Sequence, residues 1–132
     1  EEELDLTVYV DNDVRAMSLG ESWFGATKDI ANFVTLNISN GIGAGIIINN
    51  MPYYGVGFSA GEIGHIVVEA DGDKCNCGNY GCLETVASNN NIIRKAIKLI
   101  KQGVNSSLSK DIDDINNLSI EDICKAFLKQ LS

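Results

Sequence analysis

The chain carries its apolar residues in short bursts over the first half and at helical spacing over the second. The run LTVYV predicts a short buried strand over Leu6–Val10. Asn12-Asp13 follow, and VRAMSLGESWFG then predicts a helix. Asp13 is placed at its N-terminus, where free N–H groups and the dipole favour a carboxylate. Gly20 reads as a close-packing position and Gly25 as the helix end. Phe33–Ile38 and Gly45–Ile48 predict two strands around a glycine-rich turn, SNGIGAG, and Asn49-Asn50 marks a further turn. Tyr53–Gly61 reads as a glycine-containing loop and Ile66–Glu69 as a strand. From Leu83 the pattern is helical. Ser88 would cap a helix with Ile92, Ile93, Ala96, Ile97 and Ile100 on one face, ended by Gly103. Residues 104–118 are polar and read as a surface loop. Ser119 with Asp122 opens a last helix with Ile120, Ile123, Cys124, Phe127 and Leu131 on one side, Cys124 being a small core residue. Strands precede helices, with at least one strand–helix unit, so the class is α/β.

Composition narrows this picture. A chain of 132 residues, 45% hydrophobic and 21% charged, can bury a real core. The net charge of −8 opposes contact with a nucleic-acid backbone. No apolar run is long enough to span a bilayer. The opening EEELDL has neither an initiator Met nor the layout of a signal peptide, so a piece of a longer cytoplasmic protein is expected.

The densest chemistry lies in GEIGHIVVEADGDKCNCGNYGCLE, from Gly61 to Glu84. It holds the single histidine and three of the four cysteines. His65, Cys75, Cys77 and Cys82 match a closed tetrahedral Zn²⁺ shell, with a disulfide plus a spare thiol as the alternative. No ligand position would remain open for metal-bound water chemistry. Glu62 and Glu84 flank this loop, and a metal-pinned loop can hold carboxylates rigid enough to accept from a polyol. Asn12 and Asp13 follow a strand, a common place for site residues in α/β folds. Asp13 reads as a helix cap and, compatibly, as a general base. The glycines of GIGAG, Gly41, Gly43 and Gly45, let a backbone approach closely, either to a phosphate or simply in a tight hairpin. Tyr53, Tyr54 and Phe58 read as loop or core packing, or as pocket lining.

Together, GEIGH and CNCGNYGCLE resemble the signature of the ROK family (repressors, open reading frames and kinases). NDVRA, GIGAG and ETVAS fall in that family's order. NDVRA with GEIGHIVVE is most similar to its N-acetylglucosamine repressor and xylose repressor branch. The resemblance implies the actin/hexokinase-like (ribonuclease H-like) fold, with sugar bound between two domains. Residues 1–13 would close the N-terminal domain, and residues 14–132 would form the first part of the C-terminal one. It implies structural zinc on His65, Cys75, Cys77 and Cys82, and sugar contacts from Asn12, Asp13, Glu62, His65 and Glu84. Gly41 and Gly43 would lie by phosphates. If the parent is a kinase, Asp13 is the base and Mg²⁺-ATP the co-substrate. The kinases' Gly-Thr-Gly turn reads Ser39-Asn40-Gly41 here, and Arg15 stands where they often carry Asn. The expectation is therefore a sugar-sensing effector portion of a transcriptional regulator, with an ATP-dependent sugar kinase as the alternative. A homo-oligomer is expected, and DNA contact only through a region outside this chain.

Overall fold

The computed structural model describes residues 6–108 and 115–131, without the side chains of residues 130 and 131. The chain packs as two compact units. The first comprises Glu1–Asn37 with Gly43–Ile63, the second Ile38–Ile42 with Gly64–Ser132.

The first unit holds helix α1 (Asp13–Phe24) and all but the joined ends, Ile38 and Ile42, of strands β1 (Phe33–Ile38) and β2 (Ile42–Ile48), with β3 (Met51–Pro52); the sheet order is β1-β2-β3. The three-residue link between β1 and β2 obliges them to run antiparallel, since a parallel pair needs a long crossover. β2 and β3 pair antiparallel, with Ile47 opposite Pro52 and Ile48 opposite Met51. Asn49 and Asn50 make the two-residue turn, both at positive φ (52° and 64°), the conformation a right-twisted hairpin favours. Pro52 is tolerated because β3 is an edge strand. Val14, Ala44 and Ile47 are buried in this unit, and Ile47 is only 1% exposed.

The glycines of GIGAG fall mostly inside β2 rather than in a turn, and the approach of α1 explains two of them. A side chain at Gly43 would come within 3.1 Å of Val14, and one at Gly45 within 1.8 Å of the Ser18 hydroxyl. Ser18 is fully buried and donates to the Val14 carbonyl at 2.9 Å, so helix and strand meet where neither carries bulk. Gly20 has open space around it, so it is no packing position. The helix cap is Asn12, whose side chain accepts from the amides of Val14 and Arg15, while Asp13 occupies the first turn. Gly25 ends the helix as expected. Leu6–Val10 forms no strand, and Val10 is 95% exposed.

The second unit contains α2 (Leu83–Ala87), α3 (Asn89–Lys101) and α4 (Ile120–Leu131). α3 packs against both α2 and α4. Ser88 precedes α3, but its side chain makes no capping bond; it is buried and accepts instead from Asn91 at 2.8 Å. Gly103 (φ 84°) closes α3: its amide donates to Ile100 and that of Val104 to Leu99, a Schellman pattern. Ser119 and Asp122 cap α4 reciprocally: each accepts the other's backbone N–H, at 3.1 and 3.2 Å. Cys124 is exposed and Phe127 is 60% exposed, so that face of α4 is not the expected core. Residues 104–118 are not wholly surface loop either. Residues 109–114 lie outside the described ones, Ile115–Asn117 form a 3₁₀ turn, and Leu118 is buried. Ile66–Glu69 forms no strand and contributes only an isolated bridge, Val67 to Cys82.

Candidate functional site

The loop from Ile66 to Cys82 is shaped by backbone bonds before its thiols matter. Gly81 accepts from the Val68 and Glu69 amides and donates to Asp73. Cys75 donates to the Asn79 carbonyl and accepts from Gly78, closing the Cys75–Cys77 turn. One ring nitrogen of His65 and the sulfurs of Cys75, Cys77 and Cys82 all lie within 4.8 Å of one another. Cys75 Sγ lies 3.6 Å from His65 Nδ1, and Cys77 Sγ 3.6 Å from Cys82 Sγ. None of the four cysteines is bridged. Burial, with the neighbouring Cys77 and Cys75 thiols, pushes the Cys82 thiol up to about 12. The Asn79 amide, aided by hydrogen bonds from Cys75 and Cys82, outweighs desolvation and holds Cys77 below its ordinary value. The group is thus a set of soft ligands that could hold a metal ion.

Cys82 precedes α2 directly, and Glu84 sits in that helix's first turn. One Glu84 carboxylate oxygen accepts the Ile42 amide at 2.9 Å and stands 3.2 Å from where a Gly41 side chain would begin. Gly41 thus lies close to Glu84 whether or not a phosphate ever binds. The Glu84 carbonyl is held by Asn91 at 2.9 Å, a support signalled only by an Asn three residues after Ser88. Glu84 also borders a cleft of about 270 Å³, with Asn40, Cys75 and Thr85. A larger cleft of about 470 Å³, lined by Asp73, Arg94, Lys95 and Lys98 among others, holds none of the expected site residues.

The two glycines of GEIGH each press backbone against β2. A side chain at Gly61 (φ 92°) would meet the Ala44 carbonyl at 1.9 Å, and one at Gly64 the Ile42 carbonyl at 2.2 Å. Ala44 N–H also donates to Gly61 at 2.8 Å. Asn12, Asp13 and Glu62 belong to the first unit, His65 and Glu84 to the second. Asn12 and Asp13 are exposed at the start of α1, and Glu62 is exposed beyond Gly61. A further cluster, absent from the sequence expectations, surrounds the buried Arg15: Asp11, Tyr54 and Phe58. The spacing of Asp11 and Arg15, four apart in sequence, was its only signal.

Fold and site together define an α/β protein of the actin/hexokinase-like kind with a possible metal centre in its loop. The family model described as ROK family matches residues 1–131, and the chain belongs to that family. Over 126 residues, 96% of the chain, it is 41% identical to the DNA-binding transcriptional dual regulator NagC of Escherichia coli (strain K12), covering 30% of that protein. It is 42% identical over 127 residues, again 96% of the chain, to a glucokinase of Halalkalibacterium halodurans, covering 38% of it. A crystal structure of a ROK family transcriptional regulator, a homolog of E. coli MLC protein, aligns with TM-score 0.80 and 41% identity over 97% of the chain and 31% of its own. The chain thus spans about a third of the length of the curated relatives it matches. No described helix is long and apolar enough to cross a membrane.

Proposed function

We propose that this chain is the sugar-sensing part of a ROK-family transcriptional regulator, in which a structural zinc ion holds the loop that presents the sugar contacts. The observation that carries the reading is the convergence of His65, Cys75, Cys77 and Cys82 directly before Glu84. A tetrahedral zinc ion, with bonds of about 2.3 Å to sulfur and about 2.0 Å to nitrogen, separates its ligands by roughly 3.6–3.8 Å. The 3.6 Å separations of the two measured pairs fit that shell. Zinc would lock the start of α2, and with it Glu84. His65, bound through Nδ1, would turn Nε2 to a sugar hydroxyl. Asn12, Asp13, Glu62 and Glu84 would accept from or donate to the remaining hydroxyls. Residues 1–13 would end one domain of the parent, and residues 14–132 would begin the next. The protein would be cytoplasmic and homo-oligomeric, and would meet DNA through a region outside this chain.

A kinase is the second reading, favoured by Asp13 in the first turn of α1 and by the glucokinase relative. Against it stands Ser39-Asn40-Gly41 in place of Gly-Thr-Gly. A lost transition-state donor costs on the order of 3 kcal/mol, a hundredfold or more in rate. Gly41 and Gly43, the proposed phosphate neighbours, already stand close to Glu84 and Val14. The test is calorimetric titration of the intact protein with N-acetylglucosamine, xylose and glucose. Binding of one of them, weakened by Glu62→Gln with the fold retained, is expected. Unchanged affinity in that variant would remove Glu62 from the site.

A further inference from the structure

We propose that Arg15 is a positioning residue for the candidate sugar site: it clamps the 54–60 loop to the N-terminus of α1 and thereby sets where Glu62 stands. The inference rests on the sugar-binding reading of Asn12, Asp13 and Glu62. All the groups involved belong to the first unit.

A cation in the first turn of a helix opposes the dipole, so Arg15 needs a separate reason to be there. It is also only 7% exposed, uncommon for an unpaired guanidinium. Its partners supply the reason. One terminal nitrogen pairs with the Asp11 carboxylate, and the other reaches the Phe58 carbonyl at 3.4 Å. The guanidinium lies 4.5 Å from the centre of the Tyr54 ring, and the Tyr54 hydroxyl donates to Asp11 at 3.2 Å. Tyr54 and Phe58 meet edge to face, their ring centres 5.4 Å apart. A planar fork with two donor edges and a stacking face makes these contacts at once, which an ammonium cannot.

The loop needs such a clamp. Gly55, Gly57 and Phe58 are all at positive φ, 69°, 76° and 61°. For phenylalanine that conformation is strained, and surrounding contacts must hold it. The strain sits one residue before Ser59, whose carbonyl accepts the Glu62 amide at 3.5 Å. The Ala60 amide closes the loop on the Tyr54 carbonyl at 3.0 Å. A released Phe58 carbonyl would therefore free both the loop and the amide of Glu62. The start of α1, with Asn12 and Asp13, would stay put, since the Asn12 cap and Ala16 N–H to Asn12 bond do not involve the Arg15 side chain.

The test is a double-mutant cycle on the intact protein, with the sugar that wild type binds among N-acetylglucosamine, xylose and glucose. It is read together with amide hydrogen exchange on the sugar-free protein. Arg15→Met and Glu62→Gln should each weaken binding by about tenfold, and the double variant by little more than either, because both act through one carboxylate. Arg15→Lys, which keeps the charge and the fold, should lose affinity as Arg15→Met does. In both Arg15 variants the amides of Ala60 and Glu62 should exchange faster while those of α1 are unchanged. Losses that multiply in the double variant, wild-type affinity in Arg15→Lys, or unchanged exchange at Ala60 and Glu62 would each overturn the inference. Wild type that binds none of the three sugars would overturn the sugar reading itself, and the inference with it.

Discussion

Gly81→Ala and Gly78→Ala together measure how tightly the metal loop is built. Gly78 is at φ 99° with nothing within 4 Å of a would-be side chain; Gly81 is at φ 68° with the Glu69 carbonyl oxygen at 1.6 Å and its carbon at 2.6 Å. Both substitutions force an L-residue into the left-handed region, a cost of about 1 kcal/mol or somewhat more. Only Gly81→Ala adds a clash with backbone, which a rotamer change cannot relieve. Overpacking of this kind costs a further 1–3 kcal/mol or so. The expected totals are about 1 kcal/mol for Gly78→Ala and about 2–4 kcal/mol for Gly81→Ala. Metal binding requires the folded loop, so these costs should pass into metal affinity: roughly fivefold for Gly78→Ala, and about thirtyfold to several hundredfold for Gly81→Ala. Competition with a chromogenic zinc chelator in reducing buffer reads both. Equal losses in the two variants would refute the reasoning, because they would show that the segment at Glu69 yields to a methyl group.

Two further outcomes follow from the same geometry. The Cys82 thiol, pushed up to about 12 by burial and its neighbouring thiols, should keep its proton at pH 7–8 in the metal-free loop and give it up on metal binding. Zinc uptake should therefore release protons and weaken as pH falls, as calorimetry in buffers of different ionisation enthalpy will show; uptake with no proton release contradicts this. Ser119→Ala removes a hydroxyl bonded to Asp122 and should destabilise α4 by about 1 kcal/mol, lowering the melting temperature by a few degrees.

What the sequence disclosed depended on how local the cause was. Phe33–Ile38, the Asn49-Asn50 turn and the Ser119–Asp122 cap were legible because each is decided within a few residues, and the gathering of His65, Cys75, Cys77 and Cys82 was legible because one loop carries them all. The misreadings have non-local causes. Leu6–Val10 has a strand's pattern but is exposed along its length and forms no strand. GIGAG resembles a turn, yet its glycines answer to Ser18, Val14 and Glu84, which are distant in sequence from it. Asp13 and Asn12 are both good caps, and only the backbone conformation at Asn12 chose between them. Arg15 was visible as an oddity, but its loop partners Tyr54 and Phe58 lie about forty residues away.

The central claim is that a metal-held loop serves sugar sensing rather than phosphoryl transfer. The most direct test is one titration series on the intact protein: N-acetylglucosamine, xylose and glucose against metal-loaded and metal-stripped samples, with ADP release followed in parallel under Mg²⁺-ATP. The account predicts that one sugar binds the metal-loaded protein, that binding is lost on stripping and restored by zinc, and that no sugar-dependent ADP appears. Sugar-dependent turnover near one per second or faster, in the ordinary enzyme range and abolished by Asp13→Asn, would contradict it.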